Sequence, residues 1–363
     1  MKQVETSFKD YTKLVPVDLP SQSLAAGQVR MRIDSFSLTA NNVTYAAVGD
    51  MIGYWKFFPA SQDGFGMVPV WGFAEVVEST LDTVAVGSRY YGYYPMAEEL
   101  VVEPIRVSDR GFTDGMAHRQ PLPVIYNQYT ATATDPLYAA DQENLMSLIR
   151  PLFTTSFLID DFCADEAFWG AEQMLVTSAS SKTSFALAEV ASLRSDRPKL
   201  IGLTSVRNKA FTEGLGFYDQ VVTYDEIDSL DASKKTFYVD MAGSHDLRVA
   251  IHDHFGDNLV YACAVGAAHW DKMANPGGAK TLVGPTPQMF FAPSQAEKRL
   301  KELGPQEFGQ RIGIAWSRFL PLMEDKLAIS EVSGPDGIAT AFASLVDGSA
   351  DPKVGIIASL QTS

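Results

Sequence analysis

The pattern of hydrophobic and polar positions changes character about halfway along the chain. Before residue 140, short apolar runs at Val29–Ile33, Val70–Glu78 and Glu99–Val102 alternate with turn residues, which predicts β-strands. Gly49, Gly53, Gly64, Gly66, Gly72, Gly87 and Gly92 punctuate this stretch, as the corners of a barrel require. Asp141–Ile149 has helical spacing, and Pro151 is expected to interrupt it. From Met174 the rhythm becomes an alternation of strand and helix. An apolar strand at Met174–Thr177 runs into a small-residue turn, then a helix at Phe185–Leu193, then a second strand at Leu200–Leu203. Gln220–Thr223, Thr236–Asp240 and Asn258–Ala264 follow as further short apolar runs. Five strands in this order predict a parallel, doubly wound sheet. Ser294–Leu303 reads as a charged amphipathic helix, and Gly355–Leu360 as a strand that needs a partner. If it returns to the first third of the chain, that domain is discontinuous.

The first strand–helix–strand unit carries the most specific chemistry. Its turn is where the pyrophosphate of a dinucleotide sits in a doubly wound sheet. Ser178-Ala179-Ser180-Ser181-Lys182-Thr183-Ser184 contains no glycine, although glycines normally let backbone approach the phosphates. Serine is the next smallest polar residue, and Lys182 adds a cation at a helix start whose dipole already favours anions. Ser181-Lys182-Thr183 also resembles a P-loop end, but no glycine precedes it at that spacing. A serine-capped helix with no ligand is the plain alternative. The second strand ends in Thr204-Ser205-Val206-Arg207 with no acid. A carboxylate there would bind the ribose 2′-hydroxyl of NAD, whereas a hydroxyl with an arginine suits the 2′-phosphate of NADP.

Composition narrows the partners. The 363 residues are 46% hydrophobic and 20% charged, with a net charge of −15, so nucleic acid and anionic membranes are not expected as partners. The N-terminus lacks the apolar run of a signal peptide and no stretch reaches a membrane-spanning length, so the cytoplasm is the expected location. Cys163 and Cys263 lie far apart without CxxC context. They read as small buried apolar residues.

Several segments together resemble one family. They are Val68–Glu78 with its Gly72-Phe73-Ala74-Glu75 element, Val84–Gly92, Met96–Val102, Leu215–Tyr224 and Val239–Gly243. In order and spacing they are similar to the medium-chain dehydrogenase/reductase superfamily, in its zinc-independent quinone and enoyl reductase branch, and most to a divergent subgroup known as a domain of unknown function. The resemblance implies an α/β protein with a GroES-like β-barrel catalytic domain at residues 1–138 and 308–363, and a doubly wound Rossmann domain at residues 139–307. It implies a homodimer that binds NADP(H) and a small-molecule substrate. Two cysteines cannot build either zinc site of that superfamily, so no metal is expected.

The cofactor is expected on Ser181, Lys182, Thr183, Ser205, Arg207 and Tyr224. Without zinc, a loop tyrosine can supply a proton. Tyr54 best matches the family's Gly-x-Tyr loop, and Tyr45 is the alternative. Asn42 resembles the family's loop asparagine, and the adjacent Asn41 leaves the register open by one residue. His118, His269 and Trp55 are candidates for contact with substrate. His252 and His254 flank Asp253 at an expected helix end, where cationic side chains are favoured. The activity implied is hydride transfer between NADP(H) and an activated C=C or C=O. A lyase-type enzyme on the same fold and a non-catalytic NADP-binding protein are the alternatives.

Overall fold

The computed structural model describes residues 1–265 and 282–361. It divides into two units, Met1–Arg150 with Met323–Ser363, and Pro151–Leu322. Both limits fall inside helices, Glu143–Asp165 and Ala292–Glu324, so no loop composition marks them in the sequence. None of the described helices is long and apolar enough to cross a membrane.

Strands are numbered along the chain. In the first unit, β1 (Lys2–Ser7), β2 (Leu14–Asp18) and β4 (Phe65–Gly66) form a small antiparallel sheet. The larger sheet contains β3 (Val29–Leu38), β5 (Val70–Ser79), β6 (Arg89–Tyr94), β8 (Pro104–Ser108), β9 (Gly111–Asp114), β10 (Gln128–Ala131), β17 (Ala328–Ser333) and β18 (Val354–Ser359). Its order is β17-β18-β3-β5-β6-β10-β9-β8, and β7 (Glu99–Val102) also pairs with β3. The apolar run near the C-terminus thus finds its partner: β18 lies antiparallel to β3. Gly72 in β5 pairs with Phe36 of β3, just beyond a bulge between Ile33 and Ser35. A Cβ at Gly72 would come within 2.2 Å of the Ser35 carbonyl oxygen, so only glycine admits that approach.

One expectation from sequence is corrected. Pro151 does not interrupt its helix, which runs unbroken from Glu143 to Asp165. The pyrrolidine ring removes the N–H that would bond the Ser147 carbonyl four residues back. The Ser37 hydroxyl, buried on β3, donates to that carbonyl at 2.8 Å instead. The cost of the proline is offset by a tertiary hydrogen bond that no local pattern reveals. The charged helix at 294–303 is also longer than expected. It belongs to Ala292–Glu324, broken at Gly304, whose φ is 76°.

Among the described residues the second unit holds six parallel strands: β11 (Gln173–Val176), β12 (Lys199–Thr204), β13 (Gln220–Thr223), β14 (Thr236–Asp240), β15 (Leu259–Ala264) and β16 (Gln288–Met289). Their order is β13-β12-β11-β14-β15-β16, the doubly wound order in which the chain reverses beside the first strand. Both faces are buried, which explains the nearly continuous apolar runs. Met174, Val176, Leu200 and Val239 pack on one face with Leu187 and Ala191 of the helix Lys182–Ser192. Leu175, Ile201, Leu203 and Tyr238 pack on the other with Ile251 and Phe255 of the helix His245–Phe255. The two units are the GroES-like and Rossmann domains, in a mixed α/β fold.

The Ser37–Ser147 bond is testable by a double-mutant cycle. Ser37→Ala leaves a buried carbonyl unpaired and is expected to cost about 1–3 kcal/mol. In a Pro151→Ala background the helix supplies its own N–H, so the same change is expected to cost less by about 1 kcal/mol. Equal costs in both backgrounds, read from urea midpoints, would show that the hydroxyl does not compensate for the proline.

Candidate functional site

The turn after β11 is built without glycine, and the structure shows how. Ser178 takes the left-handed conformation at φ 50° that glycine would otherwise occupy. Ala179 follows, and its side chain lies over Gly202 of β12. A Cβ at Gly202 would stand 3.0 Å from the Ala179 Cβ. The room that glycine usually provides in the turn is provided here by the neighbouring strand. The Ala179 N–H bonds the Leu203 carbonyl at 2.9 Å, and the Tyr218 hydroxyl donates to the Ala179 carbonyl at 2.9 Å. Ser181 caps the helix: its Oγ accepts from the Ser184 N–H at 3.3 Å and donates to the Ser184 Oγ at 2.8 Å. The Ser184 hydroxyl donates back to the Thr177 carbonyl at 3.0 Å. Lys182 and Thr183 open the helix and are half-buried. The first backbone N–H groups of a helix have no partner within it, so this end favours an anion.

Three chain segments meet at this edge. Ser205 begins the short turn Val206–Asn208 after β12, and Arg207 in it is exposed. The Asn208 amide donates to the Ser180 Oγ at 3.1 Å, tying this turn to the one after β11. Tyr224, just beyond β13, brings its phenol oxygen to the backbone N–H and hydroxyl of Ser178. Burial pushes that phenol's pKa up. The sequence candidates Ser181, Lys182, Thr183, Ser205, Arg207 and Tyr224 are thus on the carboxyl edges of three adjacent strands. Behind them the buried Thr177 Oγ1 donates to Asp240 Oδ1 at 2.9 Å and accepts from the Met241 and Ala242 N–H groups. Asp240 Oδ2 accepts from Arg248 Nε at 2.5 Å.

In the first unit, Tyr45 and Tyr54 are buried in an aromatic cluster, with ring centroids 4.5 Å apart. The Tyr54 and Tyr126 hydroxyls are 3.0 Å apart, and the Trp71 indole N–H donates to the Tyr45 hydroxyl at 3.2 Å. Burial is the largest cause raising the pKa of Tyr45, Tyr54, Tyr93 and Tyr126, and neighbouring phenols add to it. All four are therefore neutral acids at physiological pH. The two adjacent asparagines differ. Asn42 is locked by both ends of its amide: Oδ1 accepts from the Thr39 N–H at 2.7 Å and Nδ2 donates to the Pro69 carbonyl at 2.9 Å. Asn41 instead hydrogen-bonds the Tyr45 phenol.

The remaining candidates are dispersed. His118 is exposed at the rim of a pocket in the first unit, with Nε2 3.3 Å from the Phe57 carbonyl oxygen. Trp55 packs edge-on to Phe8, between Gly49 and Gly66, which have no room for a Cβ beneath it. His269 lies outside the described residues. His252 is buried between the Tyr238 hydroxyl at 3.0 Å and the Val283 carbonyl at 2.6 Å, and burial lowers its pKa. Cys163 and Cys263 are free and buried. Among the described residues no group of three or more His, Cys, Asp or Glu is placed to hold a metal ion. Nothing in the sequence marks Tyr126, because Val124–Asn127 carries no motif and is far along the chain from the loop it joins. The Thr177–Asp240 pair is likewise unmarked, although each strand end belongs to a recognisable segment.

The phenol cluster sets an expected pH dependence of stability. In the unfolded chain tyrosines ionise near pH 10, whereas the buried phenols hold their protons. The folded state therefore binds more protons than the unfolded state above about pH 10, and stability falls there as pH rises. Urea midpoints are expected to be insensitive to these groups from pH 7 to about 9 and to drop beyond about 10. The drop should be shallower in Tyr45→Phe. An identical alkaline slope in that variant would contradict the burial argument.

A family model described as Protein of unknown function (DUF2855) matches residues 36–351. Comparison with curated proteins gives no match. Among solved structures, the chain is similar to CurA from Vibrio vulnificus in complex with NADPH, with a TM-score of 0.62 and 10% identity over 100% of both chains. It is similar to the quinone oxidoreductase from Coxiella burnetii, with a TM-score of 0.55 and 15% identity over 99% of each chain. It is also similar to the yhdH oxidoreductase from Salmonella enterica in complex with NADP, with a TM-score of 0.55 and 13% identity over 99% of this chain and 100% of that one. At such identities the likeness concerns the fold. The chain belongs to the family described as Protein of unknown function (DUF2855), and its fold is that of the quinone and enoyl reductases of the medium-chain dehydrogenase/reductase superfamily.

Proposed function

We propose that the protein is an NADP(H)-dependent oxidoreductase that works without zinc and acts on an activated C=C or C=O of a small, apolar substrate. The observation that carries this reading is the joining of two turns by the Asn208–Ser180 hydrogen bond. One turn opens a helix at Lys182 and the other presents Ser205 and Arg207 after β12. A pyrophosphate needs the first, and a 2′-phosphate needs a hydroxyl and a cation at the second. The fit extends to the backbone, since Gly202 makes room for Ala179 where the turn has no glycine of its own. The similar structures that hold NADPH or NADP agree with this reading. The reading takes the protein as a cytoplasmic homodimer that binds neither nucleic acid nor membrane.

NADPH, when bound, supplies a hydride. The chain's own residues do the rest. Lys182 and the start of its helix bind the pyrophosphate, Arg207 and Ser205 bind the 2′-phosphate, and Tyr224 holds the Ser178 turn in place. Tyr54 delivers a proton from its hydroxyl, and Tyr126 positions that hydroxyl at 3.0 Å. Asn41 and Trp71 orient Tyr45, the second phenol of the cluster.

Cofactor binding is tested by fluorescence titration of NADPH and NADH. Arg207→Ala removes a charge-assisted contact worth about 1.5–3 kcal/mol, so the Kd for NADPH should rise about tenfold or more and that for NADH much less. Lys182→Ala should weaken both cofactors and make the salt dependence of binding shallower, because one cation is lost. Tighter NADH than NADPH binding by the wild-type chain, or unchanged binding in both variants, would overturn the cofactor assignment.

Turnover is tested by screening enones, quinones and aldehydes for NADPH oxidation. Tyr54→Phe should reduce kcat by about 10²-fold or more while NADPH binding is kept. A variant with wild-type kcat would remove Tyr54 from the chemistry. Substrate consumption without nicotinamide oxidation would replace the redox reading with a lyase.

A further inference from the structure

We propose that the first unit holds a small-molecule site of its own, lined wholly by residues of that unit, that takes a neutral, largely apolar ligand. It is a pocket of about 430 Å³, within the range of ordinary small-molecule sites. Its walls are mostly apolar, with Leu19, Phe57, Phe58, Met67, Leu100 and Met116 among them. Nothing in this proposal depends on the cofactor reading.

The polar lining selects the ligand. Arg119 lines the pocket with a side chain only 1% exposed. Its Nη1 donates to Asp114 Oδ2 at 2.5 Å, and its Nη2 to the Tyr129 hydroxyl at 3.0 Å. The guanidinium stands 4.7 Å from the Phe58 ring centroid. The charges of the lining are already balanced. Asp114 is fully buried, and its Oδ1 accepts from the Glu103 and Met116 N–H groups. Arg30, the other arginine of the lining, is paired with Glu78 at 3.0 Å and Glu99 at 2.9 Å. A carboxylate ligand would bring an uncompensated charge into apolar surroundings, which is costly. A neutral ligand avoids that cost.

The experiment uses the full chain labelled with ¹³C at the methionine methyls and titrated with 4-phenylbutan-2-one and, separately, with 4-phenylbutanoate. Met1, Met67 and Met116 line the pocket and are the reporters, and the other methionine methyls report on the fold. The expected result is saturable shifts at Met67 and Met116 with the ketone, and binding of the carboxylate at least about tenfold weaker, the factor that corresponds to about 1.4 kcal/mol. Leu100→Trp fills the pocket and should abolish the shifts. If that variant loses the wild-type methyl spectrum, Met116→Trp at the rim serves instead, read at Met67. Absence of saturable shifts with the ketone, carboxylate binding as tight as ketone binding, or undiminished binding in a folded filled variant would each overturn the proposal.

Discussion

The edge where the turns after β11 and β12 meet depends on one buried contact, the Thr177 hydroxyl against the Asp240 carboxylate. Thr177 ends its strand run one residue beyond β11 and Asp240 closes β14, the adjacent strand of the sheet. A lone buried carboxylate is expensive. Here it accepts from Thr177, from the Ala242 and Gly243 N–H groups, and from Arg248. The knot fixes where two neighbouring strands stop. The turn after β11 therefore starts from a rigid point, and its strain at Ser178 is held by structure around it. A non-glycine residue in the left-handed region costs about 1–2 kcal/mol. The Ser178–Ser181 backbone bond, the serine cap and the Tyr218–Ala179 bond all act in the opposite direction. The absence of glycine from this turn is thus a redistribution of space, with Gly202 on the next strand taking over the close approach.

The first unit solves a different problem. Tyr45, Tyr54 and Tyr93 are buried together, and the half-buried Tyr126 packs against them. A phenol can be buried as a neutral acid, whereas a carboxylate in the same place would need a cation. Aromatic contacts at 4.5–5.6 Å hold the rings, and such pairs contribute about 0.5–1.5 kcal/mol each beyond area burial. The packing is therefore structural, and the protonated hydroxyls come with it. Asn42 shows the same economy, since its amide is spent wholly on a helix start and a loop carbonyl.

The sequence made the Rossmann unit legible because parallel strands buried on both faces leave continuous apolar runs, as Met174–Val176 and Leu200–Leu203 do. The serines mark a helix start in this turn, but the apolar spacing places the helix from Phe185, whereas the Ser181 cap starts it three residues earlier, at Lys182. The continuity of the helix through Pro151 was not legible, because its rescue comes from Ser37, more than a hundred residues away. Tyr126 was hidden for the same reason: its meaning comes from Tyr54, 72 residues earlier. The family resemblance pointed to Tyr54 and Tyr45, but only the fold reveals which neighbours orient their hydroxyls. The exposed strand β8 carried too weak an alternation to be read at all.

Phe57 links the two chemistries of the first unit. Its ring lies 5.5 Å from Tyr93 and 5.4 Å from Tyr126, and it also lines the apolar pocket. Arg119, at the polar end of that pocket, has Nη2 3.4 Å from the Tyr126 carbonyl oxygen. One aromatic wall and one buried arginine therefore border both the pocket and the phenol cluster. A densely packed wall transmits displacement because its contacts have no slack. Anything that moves Phe57 moves the rings that set the Tyr54–Tyr126 distance. The low polarity that keeps the phenols protonated is the same property that makes the pocket favour neutral ligands, so both follow from the aromatic composition of this half of the chain.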